Sequence, residues 1–104
     1  MDFQDILDAQ LLGIELDQSM TYAGLRLLSE DGAIGRIDVI SLDGVPIRMQ
    51  VHRLNLRSGF TTLEGIPSLG EIEAFSLENN RLMIEGDFGC FEFIAGRFDI
   101  AAVR

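Results

Sequence analysis

Lysine and tryptophan are absent from this sequence of 104 residues, histidine, cysteine and tyrosine occur once each, and proline occurs twice. Each shortage excludes something. All eight cations are arginines and stand against 17 acids, for a net charge of −9. Such a surface repels phosphate backbones and anionic lipid, so neither nucleic acid nor membrane is expected as a partner. The lone Cys90 cannot close an intramolecular disulfide. Between Gly89 and Phe91 it reads as a small core hydrophobe in a chain suited to a reducing cytoplasm. No apolar run approaches the ~18 residues that cross a bilayer, and the opening Met1-Asp2-Phe3-Gln4-Asp5-Ile6 has acids where a secretory signal carries basic residues.

What is present suits one folded domain over residues 1–104, long enough for a single core without disulfides or a structural metal. Asp2 to Leu7 can make one helical turn, with Asp2 as N-cap and Asp5 at the third helical position. From Ala9 onward the apolar period is two: Leu12, Ile14 and Leu16, then Ala23, Leu25 and Leu27, then Ile37 and Val39. Val45, Ile47, Met49 and Val51 continue it, with Pro46 at the strand's start or on an edge. Glu30-Asp31-Gly32 and Asp43-Gly44 supply turns, the second predicting a hairpin between the strands on either side. Asn55 to Leu69 loses the alternation and reads as a long connection. Strands are expected again at Glu71–Leu77, Arg81–Gly86, Cys90–Ile94 and Arg97–Val103, with turns at Glu78-Asn79-Asn80 and Asp87-Phe88-Gly89. The fold class is mainly β: an antiparallel sandwich, rolled sheet or small barrel of about seven or eight short strands behind an N-terminal helical turn. Apolar residues on both sides of two strands (Phe75 and Leu77 against Ile72 and Ala74, Leu82 and Ile84 against Met83) call for a cover on the second face. The long loop, the N-terminal turn or a second copy in a homodimer would supply it.

The chemistry-bearing residues do not assemble into a catalytic set. His52, the only histidine, lies on the polar side of a strand with Arg48 and Gln50, without a nucleophile whose pattern requires it. One histidine and one cysteine cannot make a zinc site, and no glycine-rich loop opens a helix after a strand. Neither enzyme activity nor a metal or other cofactor is expected. Glu71, Glu73, Glu85, Asp87 and Glu92 could gather around a hard cation, although carboxylates on solvated strand faces are the commoner arrangement. Charge is unevenly spread. Residues 1–34 hold seven acids and only Arg26, whereas residues 35–60 carry two more arginines than acids. Arg48, His52, Arg53 and Arg57 form a basic island, a candidate binding site for an anion or a partner's acidic patch. Pairing with the protein's own carboxylates is the plainer role for the same four residues.

The run Leu7-Asp8-Ala9-Gln10-Leu11-Leu12-Gly13-Ile14-Glu15-Leu16-Asp17, a turn at Asp31-Gly32, and Leu82-Met83-Ile84-Glu85-Gly86-Asp87-Phe88-Gly89 before Phe91-Glu92-Phe93 together resemble small bacterial immunity-type proteins of polymorphic toxin systems. The resemblance implies a non-catalytic β-rich protein that binds and neutralises a cognate toxin, and it carries over no functional residue. The leading expectation is therefore a protein-binding domain with a basic partner, toward which net acidity speeds encounter. A small-molecule or ion-binding β domain, or a structural homodimer, are the alternatives.

Overall fold

Asp2 caps a 3-10 turn at Phe3–Ile6, its carboxylate accepting from the Gln4 backbone N–H at 2.9 Å while Asp5 accepts from the Asp2 N–H at 2.8 Å. This reciprocal box offsets the marginal stability of a four-residue turn and drives Ile6 fully into the interior. The computed structural model, which describes residues 1–56, Thr62 and 65–102 of the chain, continues from that turn into eight strands. They are β1 (Gln10–Leu16), β2 (Tyr22–Leu28), β3 (Ile34–Ile40), β4 (Arg48–Leu54), β5 (Gly70–Glu78), β6 (Arg81–Gly86), β7 (Gly89–Ile94) and β8 (Arg97–Ala102). Every pairing is antiparallel, in the order β4-β7-β6-β5-β1-β2-β3-β8.

That order divides into two similar halves. β1-β2-β3 and β5-β6-β7 are meanders, and each takes its fourth strand from the other: β8 lies outside β3, and β4 lies outside β7. The halves meet where β1 and β5 begin, through Gln10↔Glu71 and Leu11↔Gly70. β7 and β8 stand six strand spacings apart, roughly 29 Å in a flat sheet. Only Ala95 and Gly96 join them, a span of at most about 11 Å. The sheet must therefore roll over on itself, bringing its two outer ends together, and of the three expected β architectures the rolled sheet is the one formed.

The Asp43-Gly44 expectation is corrected. Both residues adopt positive φ (55° and 73°) as a tight turn requires, but the strands on either side of them do not pair. Val45–Ile47 is not strand: the Ile47 N–H goes to the Met20 carbonyl at 2.7 Å, and β4 starts at Arg48, on the far edge of the sheet. A turn signal is local, whereas pairing follows from which apolar face can be buried. Met49 and Val51 align with Phe93 and Phe91 of β7 rather than with β3. Turns form at both expected places, Glu78-Asn79-Asn80 and Asp87-Phe88-Gly89, but each is a two-residue hairpin, Asn79-Asn80 and Asp87-Phe88, closed by Glu78↔Arg81 and Gly86↔Gly89, so Glu78 and Gly89 belong to strands.

Bulges change the reading of two central strands. In β1 the register shifts between Leu11 and Gly13, so Leu11 is fully buried and Leu12 only partly. In β5 it shifts between Ile72 and Ala74, which puts Ile72, Phe75 and Leu77 on one side, opposite Gly86, Ile84 and Leu82. Phe75 and Leu77 are thus not on the face opposite Ile72. That strand has one apolar face, not two, and needs no second cover. One continuous core draws on both halves, with Leu25, Leu27, Ile37, Ile72, Leu82, Ile84 and Phe93 all at 0% exposure. Phe88 plugs it from a turn position, its ring 5.4 Å from that of Phe91. The outer strands β4 and β8 add only half-buried Met49, Phe98 and Ile100. Thr62 and Gly65–Gly70 of the long connection are described, and Leu69 packs on the core.

Candidate functional site

Three members of the basic island, Arg48, His52 and Arg53, lie on the edge strand β4. Arg48, Gln50 and Arg53 align with Ile94, Glu92 and Cys90 on the outer side of β7, away from Phe91 and Phe93. A bulge between Val51 and Arg53 adds His52 to this face. The structure brings His52 and Arg53 to the protein's own acids: His52 Nε2 lies 3.2 Å from Glu92 Oε1, and Arg53 reaches Glu85 at 3.9 Å and the Gly86 carbonyl at 3.2 Å. Arg81 supplies the second partner of Glu92 at 3.3 Å, which lets that carboxylate sit 6% exposed. Arg48 has no ion-pair or hydrogen-bond partner among the described residues, and Arg57 lies outside them. Pro46, the bulge and these cations are also the devices by which an exposed edge resists pairing with stray strands.

The five acids singled out in sequence separate. Glu85 and Glu92 lie with the cations just described, while Glu71, Glu73 and Asp87 meet Asp8 where the two halves join. Asp8 follows the 3-10 turn at φ 69°, fixed by its N–H to the Ile72 carbonyl at 2.9 Å. There its carboxyl hydrogen-bonds that of Glu71. This contact, followed by burial and the charges of Asp8, Glu73 and Asp87, holds the Glu71 carboxyl above its ordinary pKa. Asp8, Gln10, Ser29, Glu30, Thr62 and Glu71 line an open cleft of about 220 Å³, and a second of about 330 Å³ beside it is lined by Asp5, Asp8, Glu30 and Asp31 among others. The β2–β3 turn that carries Glu30 and Asp31 is tied by the Ser29 hydroxyl, which donates to Asp31 and accepts from the Ala33 N–H. The Ser29 hydrogen bond, with help from the Ala33 N–H, keeps Asp31 below the usual carboxylate range.

Seven carboxylates from four separate segments thus surround one junction. Among the described residues, the arginines that neutralise acids do so elsewhere: Arg26 with Glu15, Arg36 with Asp38, Arg53 with Glu85, Arg81 with Glu78 and Glu92, and Arg97 with Asp99. Sequence reasoning missed Asp5, Asp8, Glu30 and Asp31 as members. Its only trace of them was the acid excess in the first third, which does not tell which acids will meet. No three His, Cys, Asp or Glu side chains among the described residues have metal-holding geometry. Cys90 is buried, and burial raises its thiol pKa, which suppresses the reactive thiolate. No described helix is long and apolar enough to cross a membrane. No protein-family model, curated protein or solved structure matches the chain.

Proposed function

We propose that this chain is a non-catalytic binding protein of the reducing cytoplasm that covers a cationic surface of another protein with its acidic junction, as an immunity-type inhibitor covers a basic toxin. The observation that carries this reading is the charge layout. Acids crowd around Glu71 closely enough to hold its carboxyl above the ordinary pKa, and among the described residues the ion-paired arginines lie elsewhere. In the free protein that crowding is unfavourable. A partner's lysines or arginines would relieve it on contact, and the long-range field of a chain at −9 would speed their arrival.

The test offers the immobilised chain, and an Asp8→Asn/Glu71→Gln variant, to a panel of purified basic proteins that includes nucleases. At least one is expected to bind the intact chain, to bind the variant about tenfold less tightly, and to weaken as salt rises from about 50 mM to about 500 mM. Equal binding to both chains, or binding of none of the panel, contradicts the proposal.

A further inference from the structure

A different surface, about 20 Å along β4 from its Leu54 end, carries an independent inference. At the start of β4 the two connections that cross between the halves meet. Gly96 donates to the Ile40 carbonyl at 3.1 Å, Ala95 donates to the Asn80 carbonyl at 2.9 Å, and the Leu42 side chain lies directly over Gly96. Between them is an open, mainly apolar depression of about 230 Å³ floored by Pro46, Ile94 and Ala95, with Leu42 and Val45 on its rim and Arg48 and Asn80 as its polar groups. Leu42 is 46% exposed and Val45 65%, so apolar surface continues past the depression itself.

Arg48 is the unusual member. Acids outnumber arginines by more than two to one in this chain, and Arg26, Arg36, Arg53, Arg81 and Arg97 each pair with one. Arg48 has no such partner among the described residues and stands instead beside an apolar hollow. A guanidinium fork next to an apolar recess complements a carboxylate attached directly to an apolar group. The strand direction then distinguishes between sources of that chemistry. β4 is an edge strand whose outer side pairs with no described strand. An extended peptide added antiparallel to it would run from Val51 toward Arg48 and end at the depression, its main chain pairing before the bulge at His52 interferes.

We propose that Arg48 and this depression receive the C-terminal residue of a partner polypeptide: the terminal carboxylate on the guanidinium, an apolar last side chain over Pro46 and Ile94, and the preceding residues along the free edge of β4.

Amide chemical-shift mapping by NMR on the intact chain tests this with three probes: an acetylated Thr/Val hexapeptide ending in free leucine, the same peptide with an amidated C-terminus, and N-acetyl-leucine. The free-acid peptide is expected to shift Leu42, Val45, Asn80, Ile94 and Gly96 together with β4 at millimolar concentration or below, and the amide to bind at least tenfold more weakly. Arg48→Gln and Val45→Asp, both at exposed positions that leave the core intact, are each expected to weaken binding by tenfold or more. Absence of shifts at millimolar peptide, shifts elsewhere on the surface, or equal binding of the amide overturns the proposal. Equal affinity for N-acetyl-leucine overturns the polypeptide assignment in favour of a small apolar acid.

Discussion

Two glycines flanking the Asp87-Phe88 turn show how closely backbone approaches backbone in this fold. A Cβ on Gly86 would run into the Glu71 carbonyl oxygen, and one on Gly89, at φ 127°, into the Arg53 carbonyl oxygen. Gly44 also has positive φ (73°), but open space surrounds it. Gly86→Ala and Gly89→Ala should therefore each cost about 2 kcal/mol or more, against roughly 1 kcal/mol for Gly44→Ala, as read from urea unfolding midpoints. Equal costs at all three would mean that β5 with β6, and β4 with β7, do not come together as described. Glu71 gives a prediction of the opposite sign. Its folded pKa is raised, so between the unfolded and folded values the native state binds more protons, and stability falls as pH rises through that window. At neutral pH the ionised carboxylate is a burden. Glu71→Gln should raise the melting temperature at pH 7 and flatten the gain in stability that the parent shows as pH is lowered toward the ordinary glutamate pKa; a variant less stable at pH 7 would contradict this.

Elements differed in how much of their arrangement local pattern could reveal. The turns around Asn79-Asn80 and Asp87-Phe88 and the strands beside them were legible because turn chemistry and alternation agree there; the structure adds their two-residue length and the positive φ of 45° at Asn79. Strand partners were not legible: the Asp43-Gly44 turn is real, yet it launches a crossover rather than a hairpin. Bulges in β1 and β5 were hidden because a single extra residue leaves the composition of a strand unchanged while reversing its facing, so Leu12 was read inward where Leu11 is. Of the basic island, the shared face of Arg48 and His52 was readable from alternation, but Arg53 joins it only through the bulge, and the contacts of His52 with Glu92 and of Arg53 with Glu85 depend on β4 meeting β7. The crossover makes a direct prediction. One glycine inserted between Asp43 and Gly44 lengthens a connection that sets no register, at about 0.5 kcal/mol. The same insertion between Asn79 and Asn80 breaks a two-residue turn that fixes β5 against β6, and should cost several-fold more. Chemical denaturation of the two insertion variants distinguishes these; the reverse order would restore a β3–β4 hairpin.

At the scale of the whole molecule, the exchange of fourth strands between two meanders settles where charge goes. It seals the rolled sheet's outer ends at Ala95 and Gly96, leaves β4 as a basic and apolar edge, and turns the starts of β1 and β5 toward one another with their acids. Asp8, Glu30, Asp31, Glu71, Glu73 and Asp87 belong to segments that sequence keeps far apart, and only this topology makes them neighbours. Their convergence is the ground for proposing a cationic partner. It is read most directly by following the side-chain carboxyl carbons of uniformly 13C-labelled protein by NMR as pH is lowered. Glu71 should take up its proton above the ordinary glutamate range. If Glu71 titrates at the ordinary glutamate value, the junction is not the crowded acidic surface described and the proposal fails.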